Sequence, residues 1–171
     1  MLNGELRMTG SGSAIPMQPE VAGNNAQDQE WVETRFGRVR LQRDNPIVFP
    51  NGMLGLPDRM KFCLTRFPSE KMARFMLLQS LDDPGLSFIT LPLDLKNTIL
   101  AEEDILQAAR DLEIAPEALA MLLVVSVHRE QAGVRLSVNA RAPVLVNART
   151  RTAAQFVFSS NKYEIRHLIT L

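Results

Sequence analysis

Two neighbouring carboxylates, Asp82 and Asp83, interrupt the apolar stretch "LQSLDDPGLSFITL" at residues 78–91. Adjacent acids can divide general-acid and general-base roles or hold a metal ion. The residues after them explain the pair without chemistry. Pro84 presets φ for a turn, Gly85 accepts positive φ, and an Asp side chain caps nearby backbone N–H groups. The spacing therefore predicts a turn joining "FMLLQSL" to "LSFITL", where Phe88, Ile89 and Thr90 favour the pleat.

The other groups able to do chemistry are scattered. His128 and His167 are far apart, and no G-x-S-x-G, P-loop or H-E-x-x-H pattern is present. Cys63 lies in an alternating apolar strand, where a buried and inert thiol is the expectation over a nucleophile. Glu102, Glu103 and Asp104 fall in the first turn of a helical pattern, where the macrodipole favours anions; an acidic docking face is the alternative. The pattern predicts no enzyme: no catalytic residue, no metal ligand and no cofactor.

The segment "NARAPVLVNARTR" (139–151) carries more information, because Asn139-Ala140-Arg141 recurs as Asn147-Ala148-Arg149 across an apolar strand broken by Pro143. Proline removes a ladder donor, which puts that position at an edge or a bulge with backbone left for a partner. Arg141, Arg149 and Arg151 can line up as a basic strip for phosphate contacts, an RNA-binding β-barrel reading. Solvated arginines on an outer strand face are the plainer reading, and no aromatic residues interleave with them to stack bases.

These residues must be positioned by short strands. The 171 residues suit one domain, and nineteen basic against nineteen acidic side chains leave no global field to gather nucleic acid. A single cysteine excludes an internal disulfide framework. No apolar run approaches the roughly 18 residues of a membrane span, and no signal-like start is present, so a soluble, cytoplasmic protein is expected. Residues 1–30, rich in Gly, Ser, Asn and Gln, form an expected flexible arm. From Trp31 to residue 171 one ordered domain is expected. "WVETRFGRVRLQ" alternates around Phe36-Gly37, "PIVF" and "KFCLTRF" follow, and "PNGMLGLPD" is an irregular loop. Ile105, Leu106, Ala109 and Leu112 form a helical stripe, "PEALA" a short turn, and "MLLVVSV" a strand buried on both faces. The tail returns to β with "VRLSVNARAPVLVNART", "AAQFVFSS" and "YEIRHL". The fold class is mainly β: a small antiparallel β-barrel-like domain with one or two short α-helices.

Five segments in order, "TRFG", "FPNGMLG", "LQSLDDPGLSF", "NARAPVLVNARTR" and "YEIRH", together resemble the flagellar assembly factor FliW family. The resemblance implies a β-barrel-like binding protein for residues 31–171, without catalysis and without direct nucleic-acid contact. It implies two protein partners, flagellin and the RNA-binding translational repressor CsrA. Flagellin awaiting export occupies the factor; once it leaves, the factor takes CsrA off the flagellin message, so two mutually exclusive partners report each other's concentration. Asn139, Pro143, Asn147 and Arg149 at the interrupted strand, with Asp82 and Asp83, are the expected partner-binding residues.

Overall fold

The computed structural model describes residues 29–170 except residue 132. The expected arm lies outside these residues, apart from its last two, which open the first strand. The described residues form eleven strands and one α-helix: β1 (Gln29–Thr34), β2 (Gly37–Gln42), β3 (Ile47–Val48), β4 (Lys61–Arg66), β5 (Met76–Ser80), β6 (Ser87–Leu93), α1 (Glu102–Asp111), β7 (Leu119–Glu130), β8 (Gly133–Val138), β9 (Val144–Asn147), β10 (Thr152–Gln155) and β11 (His167–Ile169). Short 3-10 turns occupy Glu70–Met72 and Pro116–Ala118, the latter opening on the proline that cannot supply a donor.

The strands β7, β6, β5, β4, β3, β10 and β9 are hydrogen-bonded in that order, and β9 pairs back onto β7. The ring is therefore closed, and it is antiparallel everywhere except at the single pairing of Thr152 with Val48. The expected mainly β, barrel-like domain is the observed one.

β7 carries the closure. Its residues Leu119 to Leu122 pair with β9, Met121 to Val124 pair with β6 on the other edge, and Val125 to Glu130 run on to pair with β8. β8 and β9 thus lie end to end along one edge of β7. Between them Asn139 to Pro143 bulge out against only Leu123 and Val124.

Alternation along β7 explains the continuous run "MLLVVSV". Leu122 and Val124 face inward, onto Phe62, Leu78, Val144 and Val146. Met121, Leu123 and Val125 face outward, onto Ile105, Ala108 and Ala109 of α1. A second outer patch, Cys63 and Leu77, is covered by Val39 and Leu41 of β2. Both faces of the central strands are buried, which is why they read as unbroken apolar sequence.

The helix rolls slightly from the expected stripe. Ile105, Ala108 and Ala109 are buried while Leu106 and Leu112 are half-buried, so the small alanines let α1 approach the sheet. Its start has no side-chain cap; instead the Ala101 N–H donates to Tyr163 Oη at 3.1 Å, and Asp104 accepts from Lys162 Nζ and Tyr163 Oη. Lys162 is the main cause that holds the Asp104 carboxyl below the usual aspartate range.

Two tail strands differ from expectation. "AAQFVFSS" is a strand only to Gln155, and "YEIRHL" forms β11 only from His167. Both segments run beside the irregular bulge and follow its spacing: Phe156 and Phe158 donate to the Pro143 and Arg141 carbonyls, and the Glu164 carbonyl accepts from Ala140 and Arg141.

Phe62 is fully buried inside the ring, 5.1 Å from the Phe49 ring and 6.3 Å from Phe88, centroid to centroid. Phe62→Ala should cost about 3–5 kcal/mol in urea unfolding. A loss under about 1 kcal/mol would mean the interior is not packed around this ring.

Candidate functional site

Strand directions sort the expected site residues. β5 runs up to the turn at Asp82–Gly85, and β9 leaves the bulge at Asn139–Pro143 running down, so these two features open at the same end of the ring. The β9–β10 connection, which holds Arg149, opens at the opposite end. The six residues are therefore divided between two ends.

At the first end the turn is built from its own side chains. Asp82 Oδ2 accepts from the Met60 and Lys61 N–H groups, each at 3.0 Å, which ties the turn to the start of β4. The Lys61 N–H bond is the main cause that holds the Asp82 carboxyl below its ordinary range. Asp83 Oδ1 accepts from the Gly85 N–H at 3.0 Å, and its Oδ2 lies 3.5 Å from Arg59 Nη2. Ser80 Oγ accepts the N–H groups of both aspartates.

Beneath them the fully buried Gln79 donates through Nε2 to the carbonyls of Ser80, Pro84 and Leu86 at 2.9–3.1 Å. Its structural role was detectable only as an amide set in an apolar strand. The turn reading of D-D-P-G is the one observed, and neither carboxylate is an idle acid.

The bulge is capped in the same way. Asn139 Oδ1 accepts from the Ala142 N–H at 3.1 Å, and Asn139 N donates to the Val124 carbonyl at 2.9 Å. Pro143 produces a bulge but no edge. It is buried, and the strand that follows it is paired on both sides, so the expected open backbone is absent here.

At the second end Asn147 Oδ1 accepts from the Arg149 and Thr150 N–H groups, both at 3.1 Å, and so closes the hairpin. Arg149 projects into solvent, and among the described residues its ion-pair neighbour is the exposed Glu117 at 3.7 Å. Because the β3–β10 pairing is staggered, Val48 N donates to the Arg151 carbonyl. The loop after β3 then joins this end in a cleft of about 380 Å³ lined by Pro50, Gly52, Glu113, Asn147 and Thr150. Gly52 is required there: its φ is +67°, and a Cβ would meet the Leu56 carbonyl oxygen at 2.5 Å.

The basic strip of the alternative, RNA-binding reading does not form. Arg141 sits at the bulge with its Nε directed at the Phe158 carbonyl, 3.4 Å away, whereas Arg149 and Arg151 lie beyond the far end of β9. Arg151 donates to the Asn45 carbonyl at 2.8 Å. Cys63 is buried, and burial pushes its thiol above the usual range, the state of an inert side chain. His128 Nε2 lies 2.8 Å from Ser137 Oγ, and His167 sits in β11 opposite Val138. Among the described residues no group of three or more His, Cys, Asp or Glu could hold a metal ion.

A closed β ring with one covering helix, whose polar side chains shape turns and whose ends offer scattered exposed charges, defines a β-barrel scaffold. Residues 30–169 match the family described as FliW protein. The chain is 32% identical over 141 residues to the flagellar assembly factor FliW of Geotalea uraniireducens (strain Rf4), covering 78% of this chain and 80% of that protein. It is 34% identical over 131 residues to the flagellar assembly factor FliW of Nitratidesulfovibrio vulgaris (strain DP4), covering 75% and 73%. The crystal structure of a flagellar assembly factor FliW superposes with a TM-score of 0.61 at 19% identity, covering 81% of this chain and 96% of that one, and so shares the fold. The chain belongs to the FliW family.

The Asp82 latch gives a pH dependence. Its folded-state carboxyl lies below the ordinary value of about 3.9. The latch therefore contributes fully above that value and is lost as pH falls through the folded one. Asp82 is exposed and water screens it, so Asp82→Ala should cost only about 1 kcal/mol near neutral pH. In urea unfolding the gap between variant and parent should narrow progressively as the pH falls below about 3.9. A gap that is constant with pH would assign the loss to something other than the carboxylate.

Proposed function

We propose that this protein is a flagellar assembly factor that acts by binding other proteins. Flagellin and the translational repressor CsrA are its partners, and their competition for it couples flagellin synthesis to export. The match of residues 30–169 to the family, with relatives named flagellar assembly factors, carries this reading. The geometry supports it by holding exposed polar groups on turns that are fixed from beneath. Binding such a surface costs little ordering entropy.

In this reading residues 31–171 are one binding domain, and the protein works in the cytoplasm, chaperoning flagellin before export. None of the helices among the described residues is long and apolar enough to cross a membrane. Of the expected contact residues, Asp83, Asn139, Asn147 and Arg149 remain candidates. Asp82 acts chiefly as a latch. The dispersal of Arg141, Arg149 and Arg151 favours protein partners over direct RNA contact.

Size-exclusion chromatography of the purified chain with flagellin and with CsrA from the same cell should give a complex with each at micromolar concentration, and either partner should displace the other. Arg149→Glu should weaken at least one complex by about tenfold while the melting temperature stays unchanged, since its ion pair with Glu117 is exposed on both sides. If neither partner shifts its elution, the reading fails.

A further inference from the structure

Away from the hairpin end, one surface joins an apolar lining to charges without a counter-ion. The tip of the β1–β2 hairpin, Arg35 and Phe36, stands across a groove of about 590 Å³ from Phe88, Val125, Val127 and Arg129. Val125 is buried at the bottom, yet Val127, two residues on along the same face, is 47% exposed. Val134, opposite Arg129 on β8, is 57% exposed and extends the apolar surface outward.

The two arginines that border the groove carry charge not neutralised by an ion pair. Arg38, Arg43, Arg59, Arg135 and Arg149 each have an acidic neighbour within ion-pair distance. Among the described residues Arg35 and Arg129 have none, as is also true of the exposed Arg40, Arg66, Arg74, Arg110 and Arg166, but Arg35 and Arg129 are the pair that borders this apolar groove. Arg35 is also held in place: its guanidinium lies 4.7 Å from the centroid of the Phe36 ring, and Nη2 donates to the Ser87 carbonyl at 2.9 Å. One guanidinium corner is fixed and its remaining N–H groups point elsewhere, which is the preorganisation a carboxylate fork needs.

We propose that this groove docks an acidic, amphipathic segment of another protein. A bulky apolar side chain would rest on Phe36, Val125 and Val127, with flanking carboxylates on Arg35 and Arg129. Charge complementarity selects the carboxylates, and the aliphatic lining selects a polypeptide over nucleic acid, whose phosphates bring no aliphatic group to desolvate. The inference does not require flagellin or CsrA to be the source of the segment, so its failure leaves their co-elution test untouched.

The test is selection of a random peptide library displayed on phage against the full chain, followed by fluorescence anisotropy of the enriched peptides. The expected peptides place Asp or Glu on both sides of an aromatic or large aliphatic residue, and their affinity falls as salt rises. Binding should weaken at least about tenfold in Arg129→Glu and, separately, in Val127→Asp, with melting temperatures within a degree or two of the parent. Enriched peptides without acids, peptides that bind both variants as tightly as the parent, or no enrichment would each overturn the proposal. So would concentration-dependent self-association that Arg129→Glu abolishes, since the occupant would then be a second copy of the chain.

Discussion

The pairing of β9 with the first half of β7 is the constraint on which the rest of the structure depends. Without it β9 and the start of β7 would be two open edges, each a row of unpaired N–H and C=O groups and a template for unwanted strand addition. With it, Leu119 pairs with Asn147 and Leu122 with Val144, and the ring has no edge between them. Closure also creates the interior around Phe62, Leu78, Leu122 and Val144. The outward faces of the same strands are then sealed by α1 on one side and β2 on another. Each central strand is consequently buried twice, and that double burial fixes the register more firmly than one apolar face alone.

A rigid ring lets the turns be rigid as well. Asp82, Asp83, Asn139 and Asn147 each hold a backbone N–H group that a turn would otherwise leave unpaired. Side chains used in this way are not available to grip a partner with their full hydrogen-bonding capacity. In the proposed reading recognition draws on exposed side chains such as Arg149 at one end, and Arg35 with Arg129 beside the apolar groove. The FliW-family segments accordingly contain two kinds of residue in close sequence, those that shape a loop and those that the shaped loop displays.

Much of this was legible locally. D-D-P-G specifies its turn within four residues, the acids at 102–104 mark a helix start, and an unbroken apolar run marks β7 as doubly buried. The parts that were not legible depend on pairings distant in sequence. Pro143 has the same local signature at an edge and at an interior bulge, and only the β7–β9 and β9–β10 pairings distinguish the two. Arg141 and Arg149 look like neighbours along one strip, but four residues of β9 run between the bulge and the hairpin. The alternating pattern in "AAQFVFSS" favours a longer strand than forms, because its neighbour there is a bulge and offers no evenly spaced ladder.

Native-state amide hydrogen exchange tests the closed ring most directly. If β9 is held on both sides, the Val144, Leu145 and Val146 amides should open only with global unfolding, at a free energy matching that from urea, while the short outer strand β11 exchanges well ahead of them. Exchange of the β9 amides as fast as those of β11, with β5 and β6 still protected, would show an open sheet and contradict the account.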